Sequence, residues 1–193
     1  MLCLCFVNIT GNYVFSVNIY VVKFFKKLIF CILLVFSLAS CSKSSSLESN
    51  SAKSYNRVEL YSFITKNGIT PENYQLTDNF YASLDKTWMH SFTMQFYDYY
   101  NDFGKKYGIS NIDCDDYALM AASYAKLTTK RGPNLGIPFG EYYFWKDDGT
   151  KHAINFAILN ENAGLKLIFF EPQNFKPVIL SETERRNGIF LRL

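Results

Sequence analysis

The sequence predicts an α+β domain, with helices first and an antiparallel β-meander packed on them. Two observations carry this. Through the first half, aromatic and aliphatic residues recur at steps of three and four, the spacing of one helix face. After the Gly/Pro-rich stretch "KRGPNLGIPFG" at 130–140, the pattern becomes short apolar runs joined by turn sequences. Helices followed by consecutive hairpins make α+β rather than α/β.

The elements follow in order. "RVELYSFITKN" (57–67) places Val58, Leu60, Tyr61 and Ile64 at helical spacing and stops at Gly68. "TPEN" (70–73) reads as a helix start, with a Thr cap and Pro in the first turn. Tyr81, Leu84, Trp88, Phe92, Phe96, Tyr99 and Phe103 mark one amphipathic helix over 78–103, with room for a single break and an end at Gly104. A further helix runs from Cys114 to about Lys126, capped by Asp113, with Asp115 and Asp116 in its first turn, where the dipole favours acids. "EYYFW" (141–145), "HAINFAIL" (152–159) and "LKLIFFE" (165–171) read as strands, and "KPVIL" (176–180) as a short fourth.

The N-terminal region reads as a targeting segment. "KFFKK" (23–27) is basic, "LIFCILLVFSLA" (28–39) is an unbroken apolar run, and "LASC" ends at Cys41. A basic start, an apolar core of this length and small residues before a cut site describe a signal peptide over residues 1–40, and the run is short for a membrane-spanning helix. Leucine three residues before a cysteine resembles the lipobox of bacterial lipoproteins, which implies a lipid on Cys41. An ordinary secretion signal cut nearby is the alternative. Residues 1–22 are uncharged and precede the basic region, which suits a start placed too early. Residues 41–54 then form a lipidated, Ser-rich tether, and 55–193 a single domain. The expected location is the cell envelope, lipid-anchored at the outer membrane or cell surface.

Lys23, Lys26 and Lys27 account for the whole formal charge of +3, because residues 1–40 hold no acid. The remaining chain is formally neutral, which argues against an electrostatic grip on nucleic acid. It is long enough for one real core, and 18 Phe, 14 Tyr and 2 Trp supply large apolar faces. Of the five cysteines, only Cys114 lies beyond the targeting segment and its cut site, so it has no partner for an intrachain disulfide. An unpaired thiol in an exported protein is a hazard unless buried or used.

A thiol at the first turn of a helix meets converging backbone N–H groups, which stabilise negative charge and suit a nucleophile. The base has two candidates, His90 and His152. His90 sits beside Met89 near Trp88 and reads as structural. His152 begins a strand. A hairpin turning symmetrically about "NENA" (160–163) sets it opposite Glu171, whose carboxylate would orient the imidazole. Cys114, His152 and Glu171 are thus nucleophile, base and orienting acid. Singly, each has a plain reading: a small core cysteine, a surface histidine, a strand-ending glutamate. Their conjunction favours the triad.

"DCDDYA", "KHAINFAI" and "FFEPQ" together resemble the papain-like cysteine peptidase domain of the mushroom chimerolectin agglutinins, over about residues 74–180. The resemblance implies a papain-like fold and peptidase or amidase activity on a peptide or protein substrate. By motif it places the nucleophile, base and acid on Cys114, His152 and Glu171. No counterpart of that family's lectin portion is present, so sugar binding is not carried over. The family is calcium-dependent. Three carboxylates beside a thiol oppose negative charge on it, and an oxygen-ligated Ca²⁺ would cancel that opposition. Asp113, Asp115 and Asp116 are therefore the candidate ligands; cap and first-turn acids is the equal alternative. Zinc is not expected from one Cys and two His, nor is a nucleotide cofactor. The glutamine that commonly supplies an oxyanion donor before the cysteine is missing from 104–113, leaving Asn111, Gln95 or Trp88 as substitutes. Gln173 matches the family block without an evident role.

Three other readings stand behind this one. Cell-wall endopeptidases of the NlpC/P60 type share an Asp-Cys helix start, but usually continue Ser-Gly where this chain has Asp115-Asp116. A transglutaminase-like acyl transferase shares the triad geometry. A non-catalytic envelope-binding lipoprotein would suit the missing glutamine.

Overall fold

The computed structural model describes residues 47–107 and 112–193, and among these described residues four helices and eleven strands are built around one six-stranded sheet. The signal segment, the proposed lipid site Cys41 and Asn111 lie outside the described residues. No helix among the described residues is long and apolar enough to cross a membrane.

The elements are β1 (Leu47–Glu48), β2 (Asn50–Asn56), α1 (Arg57–Lys66), β3 (Asn73–Gln75), β4 (Phe80–Ser83), α2 (Lys86–Tyr107), α3 (Cys114–Thr128), β5 (Thr129–Lys130), β6 (Leu135–Gly136), β7 (Phe139–Trp145), β8 (Lys151–Glu161), β9 (Gly164–Phe170), β10 (Pro177–Val178), α4 (Glu182–Arg186) and β11 (Gly188–Arg192). The main sheet runs β10-β9-β8-β7-β11-β3, antiparallel except for the β11–β3 pair. Two small sheets, β2-β4-β6 and β1-β5, are built from strands that precede β7 in the chain. The α+β class holds.

Strand periodicity sorts the core onto the two faces of the sheet. On one face, Phe139, Ala157, Leu159 and Phe170 meet Trp88, Phe92 and Phe96 of α2 and Ala121, Ala122 and Ala125 of α3. The alanines bring the α3 backbone close to β7 and β8, which fixes where its first residue, Cys114, arrives. On the other face, Tyr142, Phe144, Ile154 and Phe156 pack with Leu60 and Ile64 of α1. Trp88, Phe92 and Phe96 stack in sequence, with ring centroids 5.1 and 5.7 Å apart. Each such ring buries a large apolar area, and truncating one to Ala costs about 3–5 kcal/mol.

Several sequence expectations need correction. Helix α1 is where the spacing put it, but it buries Leu60 and Ile64 while Val58 is 73 % and Tyr61 44 % exposed. "TPEN" starts no helix: the Thr70 and Glu72 amides donate to the Arg185 and Gly188 carbonyls, and the chain enters β3. The periodic run from 78 is not one helix. Tyr81 lies on β4, and α2 starts only at Lys86, where the Asp85 side chain accepts from the Trp88 amide at 2.8 Å. It also runs through Gly104 to Tyr107. The stretch expected to be a tether already enters strands at Leu47, whose side chain is buried in the α2–α3 core.

The β8–β9 hairpin turns between Asn162 and Ala163, one residue later than symmetry about "NENA" places it, pairing Asn155 with Phe170 and Glu161 with Gly164. Gly164, at φ +116°, supplies the left-handed backbone this tight turn requires. In β11, Gly188 opposes Phe144 and Phe190 opposes Tyr143, so Ile189 is an extra residue, a β-bulge.

Candidate functional site

Cys114 opens α3 and is half-buried. Asp113 stands at the N-cap position, but its side chain makes no capping hydrogen bond, against expectation. Its carboxyl pairs instead with that of Asp115. The hydrogen bond between them is the leading cause that holds Asp113 below the usual carboxylate range and pushes Asp115 above it.

His152 stands near the start of β8, and Glu171 follows the last residue of β9. Their side chains meet, with Nε2 2.8 Å from Oε1, and expose 21 % and 27 % of their areas. A carboxylate only accepts, so Nε2 donates in this pair, and Nδ1 is the nitrogen left to face other partners. Glu171 is fixed by its own backbone: its amide donates to the Lys176 carbonyl, and its carbonyl accepts from Phe175 at 2.7 Å.

Cys114 and His152 line one cleft of about 300 Å³, together with Asp115, Tyr143, Lys151, Ala153, Ile189 and Phe190. Among the described residues, no hydrogen bond joins the thiol to the imidazole. Ala153, Tyr143 and Phe190 are register partners across β8, β7 and β11 and form the floor. The Tyr143 and Phe190 rings meet edge-on at 5.9 Å. At the rim, the Lys151 ammonium lies 4.9 Å over the Trp145 ring.

The structure thus brings Cys114, His152 and Glu171 to one end of the sheet and adds an aromatic floor that the sequence reading left out. Tyr143 stood in a recognised strand, but its face was unassigned, and β11 was not recognised. The substitutes proposed as oxyanion donors fare differently. Trp88 is 2 % exposed, and its indole N–H donates to the Thr129 hydroxyl at 3.1 Å, so it belongs to the core. Gln95 is half-buried on α2. No group of three or more His, Cys, Asp or Glu converges as a metal-binding cluster among the described residues. The Asp113–Asp115 pair alone falls short of the six to eight oxygens a calcium ion takes.

No protein-family model matches the chain, and no curated protein matches it. Solved structures share its fold, among them two of a lectin. The PSL1a–E64 complex superposes with a TM-score of 0.52 at 20 % identity, covering 72 % of this chain and 51 % of that one. Polyporus squamosus lectin, bound to the human-type influenza-binding epitope Neu5Acα2-6Galβ1-4GlcNAc, superposes with a TM-score of 0.50 at 18 % identity, covering 72 % and 49 %. The chain spans about half the length of each. These neighbours are lectins, not peptidases, and they overturn the expectation of a peptidase with its hydrolase chemistry and peptide substrate. The endopeptidase and acyl-transferase alternatives fall with it. The chain resembles structures of a mushroom lectin at low identity, and the resemblance is one of fold.

Proposed function

We propose that the protein is a binding protein of the cell envelope, anchored through a lipid on Cys41, that holds its ligand in the Cys114 cleft. The observation that carries this is the His152–Glu171 pair on the same cleft as the thiol. In this reading Cys114 is the reactive group, His152 the base that takes its proton, and Glu171 the carboxylate that orients the ring. An electrophilic ligand would be captured covalently. PSL1a forms a complex with E64, and the epoxide E64 is a suitable probe for this chain. Sulfur would bond to an epoxide carbon, the C–O bond would break, and the proton held on His152 would pass to the alkoxide. The order of helices before the meander, with Cys114 opening a helix packed on the sheet, supports a papain-like arrangement as a fold. Asp113, Asp115 and Asp116 would hold a Ca²⁺ ion, whose charge would offset the carboxylates that oppose a thiolate on Cys114.

A second reading, a saccharide in the cleft, is favoured by the aromatic floor beside polar Asp115, Lys151 and His152. The glycan bound to the lectin neighbour supplies the probe.

Mass spectrometry tests both. One equivalent of E64 should add to the protein and none to Cys114→Ala. The sialylated trisaccharide, if it is the occupant, should slow alkylation of Cys114 by iodoacetamide. Equal labelling of wild type and Cys114→Ala would end the first reading, and no protection by the glycan would end the second.

A further inference from the structure

We propose that Glu141 and Arg192 are positioning residues of the Cys114 cleft, an ion pair between a buried carboxylate and a half-buried guanidinium that fixes the Tyr143 ring as its floor. The inference rests on the reading of that cleft as the functional site. On β7, Trp145, Tyr143 and Glu141 alternate on one face of the sheet. Tyr143 opposes Ala153 and Phe190, and Glu141 opposes Asn155 and Arg192, so one row of cross-strand partners underlies the floor row.

That second row is polar, with Glu141 and Asn155 buried and Arg192 half-buried. Glu141 is 1 % exposed. Arg192 Nη2 reaches both of its oxygens, at 2.7 and 2.8 Å, and Nε adds a bond of 3.3 Å. The Tyr143 hydroxyl donates to Glu141 Oε2 at 3.1 Å, which draws it away from the cleft and leaves the ring. Burial first, and then the Glu141 charge, push the Tyr143 phenol above its usual range, so it stays a donor. The Arg192 guanidinium lies 6.0 Å over the Phe190 ring and backs the second aromatic of the floor. Asn155 completes the row: its amide donates to Gly140 O and, at 2.9 Å, to Ala118 O of α3, the helix that carries Cys114. The row therefore ties the floor to the thiol-bearing element.

An ion pair built on a buried carboxylate is a poor device for stability alone, because desolvating the Glu141 charge offsets much of its attraction to Arg192, and apolar replacements of similar volume often match such a pair. Such replacements could not hold the Tyr143 hydroxyl inward.

The test compares full-length wild type, the double variant Glu141→Leu with Arg192→Met, and Tyr143→Phe. Each is alkylated at Cys114 with iodoacetamide and with its N-benzyl derivative, whose flat ring would stack on the floor. The double variant should keep its melting temperature within a few degrees, while its preference for the benzyl probe falls by about tenfold, the scale of one lost apolar contact. Tyr143→Phe should lower the preference in the same direction, and it decides the matter if the double variant fails to fold. An unchanged preference in a folded variant overturns the proposal. If Cys114 of the wild type reacts with neither probe, the site reading fails, and the Tyr143 ring resonances in NMR decide the positioning separately. Slow ring flips in the wild type and fast ones in the double variant uphold it; identical behaviour overturns it.

Discussion

His152 and Glu171 form a 2.8 Å pair on adjacent strands although they are not direct register partners. The hairpin turns one residue late, which slides the register by two and makes the pair diagonal. Diagonal neighbours remain within reach of long side chains, and a slip of two keeps each residue on its own face. A slip of one would have parted them.

Glu171→Gln should therefore slow alkylation of Cys114 by iodoacetamide about threefold to tenfold near neutral pH, by weakening the orientation of the His152 base. The pair is partly solvated, so the stability lost should be about 1 kcal/mol or less. Alkylation rates across pH 5 to 9, with a urea melt, read both quantities. Identical rates would show that Glu171 does not act on the thiol through His152.

Trp88→Phe should act on stability and leave Cys114 alone. It deletes the indole bond to Thr129, which is 4 % exposed, and leaves that hydroxyl without its partner, at about 1–3 kcal/mol. Denaturant melts and alkylation kinetics separate the two effects. A large loss of alkylation rate in a stable variant would restore Trp88 to the site.

Calcium is expected to raise the melting temperature and to quicken alkylation of Cys114, and Asp115→Asn with Asp116→Asn should erase both responses. Both should weaken as pH falls, because the proton favoured on Asp115 by its bond to Asp113 competes with the ion. A chelator that changes neither quantity would leave these aspartates as first-turn acids.

Cys41→Ser should leave unprocessed precursor or release the protein from membranes. Fractionation and the mass of the processed chain read this directly. A fully processed, membrane-bound Cys41→Ser protein would remove the anchor.

The parts legible in the sequence were those with a strong local period. Helix α1, the helix from Cys114 and the β7–β9 meander were placed within a few residues; the symmetric hairpin put His152 directly opposite Glu171, whereas the side chains meet diagonally, two residues off that register. Tyr81 misled because its spacing to Leu84 and Trp88 suits a helix as well as a strand leading into one; the decisive signal was the cap at Asp85. Pro71 misled because non-local bonds to Arg185 and Gly188 outweigh a helix-start pattern. The floor of the cleft was hidden for another reason. Tyr143, Ile189 and Phe190 meet only through a pairing of β7 with β11, which no local pattern announces. The "SETE" capping box at 181–184, now seen to start α4, was the available sign that a further element lay before β11.

The bulge at Ile189 makes the length of the last strand a matter of parity. Phe190 and Arg192 share a face with Tyr143 and Glu141 because one surplus residue precedes them. Removing it would rotate everything after it by half a repeat, sending the guanidinium toward the α1 side and Leu191 into the place of a charge. Point changes at 189 preserve that count; a one-residue deletion or insertion does not. The segment from Gly188 to Arg192 should therefore tolerate exchange of side chains far better than any change in its number of residues.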